Sequence, residues 1–310
     1  MSFGQHDDPT HVIAHLSDTH LRADTLQYGA VDTVANLERT LRKLRLIDPA
    51  PQALVLTGDL ADIAEPGAYE LLRKAIEPVA AEIGASVVWV MGNHDERETY
   101  SQALFGAASS EPQDTVHDVA GLRIIALDTS VPGWHHGELS ADQLAWLREQ
   151  LATPAEHGTI LAMHHPPIAV PATPVAALIE LHDQQALADA IAGSDVRAII
   201  GGHFHYSSYS TFAGVPVSVA SATCYTMDLA PDRRLISGVD GHQAFTLLHL
   251  YADHGDALHG GQVVHSIVPI GDAAEVTGED IAMLGPLSEL PREQQFDMVS
   301  RKDSPLYKGE

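Results

Sequence analysis

Acidic, amide and imidazole side chains recur in short clusters along this chain, each at the end of an apolar run. In chain order they are Asp18-Thr19-His20, Gly58-Asp59, Gly92-Asn93-His94-Asp95, His164 and Gly202-His203-Phe204-His205. Because β-branched and aliphatic runs predict buried strands, the side chains that follow them are expected at one edge of a sheet. Such convergence of carboxylates and imidazoles predicts a pair of bound metal ions. The candidate ligands are Asp18, His20, Asp59, Asn93, His164, His203 and His205.

The types of these side chains restrict the metal. Oxygen and nitrogen donors without a thiolate suit Mn, Fe, Zn or Co, and they argue against a structural zinc of the finger type. Asp18 and His20 are two residues apart, so in an extended segment both side chains point to one side. His203 and His205 repeat that spacing and could supply one imidazole to each of two metals. A glycine directly precedes three of the candidates, which suits tight turns with close backbone approach.

Apolar periodicity predicts the elements that position these ligands. Strands are expected over residues 12–16, 53–56, 87–91, 122–127, 159–163 and 196–200, and then, without intervening helices, over 215–220, 245–251 and 262–270. Helices are expected over residues 31–45 and 68–83, and from a capping box at Ser140 to Leu151. Alternating βα units that give way to antiparallel strands indicate sheets packed face to face with helices outside.

The chain is strongly acidic, with a formal net charge of −25 over 310 residues. This charge argues against nucleic-acid and anionic-membrane partners, although two bound cations would reverse its sign locally for a small anionic substrate. The single cysteine, Cys224, excludes an internal disulfide. Neither a secretory signal nor an apolar run of the roughly 18–20 residues that span a bilayer is visible. We therefore expect a reduced, cytoplasmic protein.

The domain organisation is predicted from the continuity of the strand and helix signals. One domain is expected over residues 1–270, because no linker rich in Gly, Ser or Pro interrupts them. Residues 271–310 are polar and contain Pro286, Pro291 and Pro305. We expect a loosely ordered extension there, with one short helix as an option, that could lie on a partner subunit.

The ordered string D-x-H, G-D, G-N-H-D, H, G-H-x-H resembles the calcineurin-like metallophosphoesterase superfamily and covers residues 12–270. Residues 28–32, 128–133, 163–167 and 218–225 are similar to the bacterial class III cyclic nucleotide phosphodiesterases. The resemblance implies an α/β (α+β) fold, a four-layer αββα sandwich of two mixed β-sheets flanked by helices. It also implies a homodimer and a dinuclear centre of iron and manganese, with zinc or cobalt as alternatives.

The resemblance further implies how the ligands divide between the two ions. One ion would be held by Asp18, His20, Asp59 and His205, and the other by Asp59, Asn93, His164 and His203. Asp59 would bridge them, since a carboxylate can give one oxygen to each ion. Two such ions, about 3.5–4 Å apart, can lower the pKa of a shared water from about 15.7 to about 7. The implied reaction is attack of a metal-bound hydroxide on a phosphodiester.

His94 and Asp95 are the predicted catalytic residues. His94 directly follows the ligand Asn93 and is expected beside the bound phosphate, where it would stabilise or protonate the leaving oxygen. Asp95 could hold the other ring nitrogen of His94, or it could cap a helix. Asn93 and His94 are also predicted to bind substrate. His136, in the turn at His135-His136, is a further predicted substrate contact, with a plain surface turn as the alternative.

Three functional hypotheses follow from these residues. The leading one is hydrolysis of 3′,5′-cyclic nucleotides, such as cAMP or cGMP, to 5′-nucleoside monophosphates. A glycerophosphodiesterase or a broad-specificity phosphodiesterase would use the same site, because the ligands indicate the reaction and not the leaving group. A non-catalytic scaffold is the third hypothesis, and the retention of every ligand argues against it.

Overall fold

The structure, a computed structural model, describes residues 4–172, 174–232, 236–255, 260–276, 278, 282 and 284–304. Its strands are β1 (His11–Leu16), β2 (Ala53–Thr57), β3 (Ser86–Val90), β4 (Thr115–Val119), β5 (Leu122–Leu127), β6 (Thr159–Met163), β7 (Val196–Gly201), β8 (Ser208–Phe212), β9 (Val215–Val219), β10 (Thr226–Met227), β11 (Gly238–Val239), β12 (Ala244–Leu250) and β13 (Val263–Pro269). Its α-helices are α1 (Thr33–Leu44), α2 (Pro66–Ile83), α3 (Arg97–Phe105), α4 (Ala141–Leu151), α5 (Gln184–Ile191), α6 (Leu284–Ser288) and α7 (Arg292–Val299), and a 3₁₀ helix covers Pro174–Ile179.

Two large mixed sheets form the framework. The first has the strand order β13-β12-β1-β2-β3, with β1, β2 and β3 parallel and β12 antiparallel to both of its neighbours. The second has the order β4-β5-β6-β7-β9-β8, parallel in its centre and antiparallel at both edges. The late antiparallel strands β12 and β13 therefore complete the sheet that the first βα units begin.

Alternation along the strands separates the layers of the core. In β1, Leu16 packs with helix residues such as Leu37, whereas Ile13 lies between the two sheets. In β6, Leu161 packs on the side of α4 and α5, and Ile160 faces the first sheet. Helices therefore cover the outer face of each sheet, and the predicted four-layer sandwich is confirmed.

The elements that the apolar pattern misses lie mainly at the periphery. Strands β4 and β8 form the two edges of the second sheet and have the polar sequences TVHDV and SYSTF. An edge strand is paired on one side only and tolerates polar residues, so neither produces a continuous apolar run. The eight-residue helix α5 is also absent from the sequence prediction.

The two predicted helix caps have different outcomes. The capping box at the start of α4 is confirmed, with Ser140 and Gln143 each bonded to the other's backbone. The cap predicted at Asp95 is wrong, because α3 begins at Arg97 with Glu96 at the N-cap position. No side chain caps that helix, and the Asp95 carboxylate is used elsewhere.

The chain divides into two compact units, Pro9–Gly271 and Met1–Asp8 with Asp272–Glu310. The described part of the second unit contains α6 and α7, and Arg301 pairs with Asp303 at 2.9 Å. Whether residues 271–310 act as an extension against a partner stays a prediction. Among the helices of the described ranges, none has the length and apolar character that crossing a bilayer requires.

Strand β1 buries an imidazole that titrates abnormally. His15 is fully buried, with Nε2 2.8 Å from Thr57 Oγ1. Burial and, less strongly, the neighbouring His265 lower the pKa of His15 to about 3. In the unfolded chain the pKa is about 6.5, so as the pH falls from 6.5 towards 3 only the unfolded state gains this proton. His15 therefore destabilises the fold with decreasing pH, by up to about 1.4 kcal/mol per pH unit.

We expect His15→Leu to flatten this acid dependence. The free energy of unfolding, measured by urea titration between pH 7 and pH 5 with a chelator present, should fall less steeply in the variant than in the wild type. The exposed His254, changed to Leu, is the matched control and should retain the wild-type slope. Equal slopes for all three proteins would contradict the burial argument.

Candidate metal centre

The structure brings all seven predicted ligands to one edge of the sandwich. Asp18 and Asp59 follow β1 and β2, whose parallel carboxyl ends lie side by side. Asn93 follows β3, the next strand of that sheet, and His164 follows β6 in the opposite sheet. His203 and His205 follow β7, and His20 lies two residues beyond Asp18. Both sheets therefore contribute ligands to a single centre.

The backbone at this edge adopts an uncommon conformation. Five ligand residues have left-handed φ angles: Asp18 (51°), His20 (41°), Asp59 (50°), His203 (74°) and His205 (59°). For residues other than glycine this conformation costs about 1–3 kcal/mol each and persists only where the surrounding structure imposes it. Such strain concentrated in one constellation marks a functional site, and it turns the ligand side chains sharply away from the strand directions.

Two glycines allow the loops to approach each other. A Cβ atom on Gly92 would collide with the backbone nitrogen and the carboxylate of Asp59. A Cβ atom on Gly202 would collide with Ser17 Oγ and the Asp18 carboxylate. The glycines that precede ligands in the sequence are therefore required by close packing between different loops.

The first group of ligands consists of Asp18, His20, Asp59 and His205, all of which are buried. His20 Nε2 lies 3.3 Å from Asp59 Oδ2, and His205 Nε2 lies 3.4 Å from Asp18 Oδ1. One donor atom from each of the four residues lies within 4.8 Å of all the others. These atoms can surround one ion.

The second group shares Asp59 with the first. His164 Nε2 lies 3.3 Å from Asp59 Oδ2 and 3.0 Å from Asn93 Oδ1. His203 Nδ1 lies 3.2 Å from the same nitrogen of His164. Asp59 Oδ2 is thus equally far from an imidazole nitrogen of each group, while Asp59 Oδ1 accepts a bond from the His94 backbone nitrogen at 2.8 Å. Asp59 is therefore the residue that could hold an ion in each group, as predicted.

Each imidazole of the centre has its other ring nitrogen engaged by the protein. The contacts are His20 Nδ1 to Asp62 Oδ1 (3.1 Å), His164 Nδ1 to the Thr57 carbonyl (2.7 Å), His203 Nε2 to the Ile179 carbonyl (2.9 Å) and His205 Nδ1 to the Tyr225 carbonyl (3.1 Å). Such acceptors fix the ring orientation and the tautomer of metal-binding histidines, and they direct the remaining lone pair at the ion. The donor set therefore fits two metal ions.

The protonation states support the same conclusion. Burial alone would raise the pKa of Asp59, but the charge and hydrogen bond of His164, together with those of His20, hold it well below the usual value. Against the opposing effect of burial, the same contacts raise the pKa of His20 to about 10 and that of His164 to about 9. The contacts with Asp59 therefore favour a positive charge on each side of its carboxylate, and a proton there would compete with a metal cation.

Asp62 is a functional residue that the sequence prediction missed. Its Oδ1 accepts from His20 Nδ1 at 3.1 Å and from Gln27 Nε2 at 3.0 Å, and Oδ2 accepts from Arg22 at 3.1 Å. Burial opposes ionisation, yet the bond and charge of His20 lower the pKa of Asp62 to about 2. The ionised carboxylate positions His20. The position of Asp62, three residues after Asp59, is the sequence signal that could have indicated this residue.

His94 lies beside His20, and the partner of its ring nitrogen differs from the predicted one. His94 Nδ1 is 2.8 Å from the Asp62 carbonyl, and its ring centroid is 4.6 Å from that of His20. The predicted contact between Asp95 and the His94 ring is wrong. Asp95 is buried and accepts bonds from two adjoining turns, through the backbone nitrogens of Leu60, Ala61 and Gly92 and through Tyr69 Oη. Its place in the structure is that of a positioning residue.

The turn after β5 also differs from the prediction. His135, and not His136, lies at the centre, with Nδ1 2.9 Å from Asn93 Nδ2. His136 points away and contacts Glu138 through Nε2 at 3.0 Å. The reason is local: the chain bends at His135 and His136 and is then held by the bridges of Gly137 to Ser130 and Leu181, so the two neighbouring side chains face different ways.

A cavity of about 380 Å³ opens directly above the ligands. His20, Asp59, Asn93, His94 and His135 form its polar floor. Its opposite wall is apolar and comes from the 3₁₀ helix and the segments after β7 and β9: Val175, Ala176, Leu178, Ile179, Phe204, Tyr206, Tyr225 and Met227. This volume lies within the range of about 300–1,000 Å³ that is typical of small-ligand sites.

Removing the shared carboxylate tests the assignment of the ligands. Asp59→Asn keeps the shape of the side chain but removes the charge between the two groups, so we expect most of both metals to be lost. Asp62→Asn is the matched control; it should weaken binding at the His20 group only, by about 10–100-fold. Metal content per chain is measured by elemental analysis after dialysis, and a full pair of ions in Asp59→Asn would exclude the bridging role.

Known proteins are similar to this chain in sequence. The family model of the calcineurin-like phosphoesterases matches residues 11–207. The chain is 48% identical to a cAMP/cGMP dual specificity phosphodiesterase of Mycobacterium tuberculosis, over 98% of this chain and 93% of that protein. It is 29% identical to a 3′,5′-cyclic adenosine monophosphate phosphodiesterase of Pseudomonas aeruginosa, over 73% of this chain and 85% of that one.

A solved structure agrees at the level of the fold. Purple acid phosphatase from yellow lupin superposes with a TM-score of 0.54 at 12% identity, over 85% of this chain and 52% of that chain. The family match covers more than half of the residues and includes every ligand of the two groups. This chain therefore belongs to the calcineurin-like phosphoesterase family, whose members hold a dinuclear metal centre, and it is a metal-dependent phosphodiesterase.

Proposed function

We propose that this chain hydrolyses 3′,5′-cyclic nucleotides, cAMP and cGMP, to 5′-nucleoside monophosphates. The observation that carries the proposal is one composite site, in which two ligand groups share Asp59 beneath a cavity of about 380 Å³ with one apolar wall. The relative with 48% identity is named a cAMP/cGMP dual specificity phosphodiesterase. The combination suits a substrate with an anionic phosphodiester at one end and a planar aromatic base, whose faces can pack on apolar side chains, at the other.

The ligands would hold two ions, one in each group, and we propose iron and manganese, with zinc or cobalt as substitutes. When bound, such a pair supplies Lewis acidity to the phosphodiester and lowers the pKa of a water molecule that attacks phosphorus. The chain's own contribution is to keep Asp59 ionised and to fix each imidazole through its second nitrogen. Ordered donors of this kind need no rearrangement during the reaction.

His94 is proposed to act on the leaving oxygen. The bond from Nδ1 to the Asp62 carbonyl leaves Nε2 with no hydrogen bond to any of the residues that the structure describes. Nε2 can therefore carry the proton that the 3′ oxygen of the ribose needs when its bond to phosphorus breaks. The Asp62 carbonyl holds the ring in place during that transfer, and Asp95 fixes the turn that carries it.

Asn93 and His135 are proposed to bind the phosphate. The Asn93 side chain is held from both sides, with Oδ1 3.0 Å from His164 Nε2 and Nδ2 2.9 Å from His135 Nδ1. This contact leaves His135 Nε2 to donate to a phosphate oxygen. His135 thereby takes the role that the sequence analysis assigns to His136.

The apolar wall is proposed to bind the nucleobase. Leu178 and Val175 are 73% and 52% exposed. A ligand that covers them would therefore remove apolar surface from water. A purine would bury this surface, whereas the polar glycerol of a glycerophosphodiester would bury little of it. The wall therefore favours a cyclic nucleotide over the alternative substrate.

We also propose that the protein is a cytoplasmic homodimer and that it binds neither nucleic acid nor membranes. The net charge of −25 repels polyanions and anionic lipid. The buried free thiol of Cys224 is consistent with a reducing compartment.

We expect His94→Ala to lower kcat for cAMP by about 10²–10⁴-fold, the usual contribution of a positioned acid or base. Its metal content should stay at the wild-type level, because the His94 ring belongs to neither ligand group. Steady-state kinetics and elemental analysis of the same samples separate these effects. His117→Ala on β4 is the control for the loss of a histidine, and unchanged kcat in His94→Ala would remove the proposed proton transfer.

Substrate profiling after metal exchange tests the proposed reaction. The chelated protein should be inactive, and re-addition of Mn²⁺ should restore hydrolysis of cAMP and cGMP. 2′,3′-Cyclic nucleotides and glycerophosphodiesters, assayed side by side, should have lower kcat/KM. Preference for glycerophosphodiesters would refute the cyclic nucleotide assignment, and a protein inactive on every diester with Mn²⁺ present would be a scaffold.

A further inference from the structure

Outside the centre, two histidines and a glutamate converge near the protein surface. His136 Nε2 lies 3.0 Å from Glu138 Oε1, and His182 Nδ1 lies 3.6 Å from the same oxygen. The two imidazoles are stacked, with centroids 4.2 Å apart and an angle of 16° between the planes. None of these side chains takes part in the reaction proposed above.

The backbone holds this cluster firmly. Gly137 pairs with Ser130 on one side and with Leu181 on the other, and its nitrogen and oxygen bond to the Glu180 oxygen (3.1 Å) and the His182 nitrogen (2.8 Å). The bend at His135 and His136 and the bridges of Gly137 place His136 Nε2 within 3.0 Å of Glu138 Oε1. Leu181 is buried, so the following side chain, that of His182, turns outward to meet them.

We propose that His136, Glu138 and His182 form a third, surface site for a transition-metal cation, with Zn²⁺ as the best fit. Two imidazoles and one carboxylate are a donor set that zinc uses where further positions stay open to water. With bonds of about 2.0–2.2 Å, tetrahedral donors lie about 3.3–3.5 Å apart, and the two measured distances lie on either side of that value. Glu138 and His182 are about half exposed, which admits the water ligands.

A cation here would join two segments that both contact the dinuclear centre. The segment around Gly137 carries His135, whose ring contacts Asn93 and whose carbonyl is 3.1 Å from His165 Nε2. The segment before His182 carries Ile179, whose carbonyl orients His203, and it forms the apolar wall of the cavity. Binding would therefore restrict the motion of that wall. This inference does not depend on which diester is the substrate.

The test uses the full chain with its dinuclear centre filled. Zn²⁺ alone is added, and total metal per chain is measured after equilibrium dialysis. The wild type should hold one ion more than the double variant E138Q/H182N. The affinity of the variant for that ion should fall by at least about 10-fold, because loss of a residue that only orients a metal ligand already lowers metal affinity by that much. E149Q/H117N, with the same changes on α4 and β4, is the matched control and should bind as the wild type does.

A second readout reports the effect on the cavity wall and guards against misfolding. Amide hydrogen exchange over residues 174–182 should slow with Zn²⁺ in the wild type and in the control, but not in E138Q/H182N. The isosteric single variant E138Q should show the same loss. Equal metal content in the wild type and E138Q/H182N, or exchange that Zn²⁺ slows equally in both, would overturn the proposal. Both readouts are independent of phosphodiester hydrolysis, so failure of the proposed function is distinguished from failure of this site.

Discussion

The carboxylate of Asp59 is buried and ionised, and the metal centre is organised around this requirement. An isolated buried carboxylate is costly, because the interior cannot replace its hydration. Here the charge is balanced by imidazoles at 3.3 Å on either side of Oδ2 and by a backbone N–H on Oδ1. The imidazoles come from different sheets. The contacts of this one charged group therefore connect segments of both sheets at their carboxyl edge.

Main-chain atoms supply much of the order in the site. Three of the four ligand histidines bond to backbone carbonyls, those of Thr57, Ile179 and Tyr225. A carbonyl cannot rotate away as a side chain can, so the ligand positions follow the strand ends and turns. The left-handed residues and the close glycine contacts are the conformational cost of this arrangement. Strand pairing across both sheets offsets that cost.

The reaction and the choice of substrate depend on different parts of the cavity. In the proposed function, the ligand groups and His94 act on the phosphodiester, and they follow strands of both sheets. The apolar wall is proposed to select what the phosphodiester is attached to, and half of its residues lie on the 3₁₀ helix Pro174–Ile179. Ile179 connects the two, because its side chain lines the wall while its carbonyl orients His203. The same residue therefore belongs to the wall and supports a ligand of the candidate metal centre.

The sequence by itself determined the fold class, the positions of the central strands along the chain and the identity of the candidate ligands. It could do so because long apolar runs indicate buried strands, and the residues after parallel strands must meet at one edge. It did not indicate β4 and β8, whose polar edge positions leave no apolar run. Their places depend on the sheet beside them.

Only the tertiary structure decided which residues support the ligands. Asp62 is bonded to His20 across two loops, Asp95 ties turns together instead of meeting His94, and His135 replaces His136 at the site. Each of these contacts joins segments far apart in sequence, or depends on which side chain of the segment around Gly137 faces the site. Spacing along the chain carries no information about that choice. It is made by the packing of Gly137 between its neighbours and by the turns in left-handed conformation.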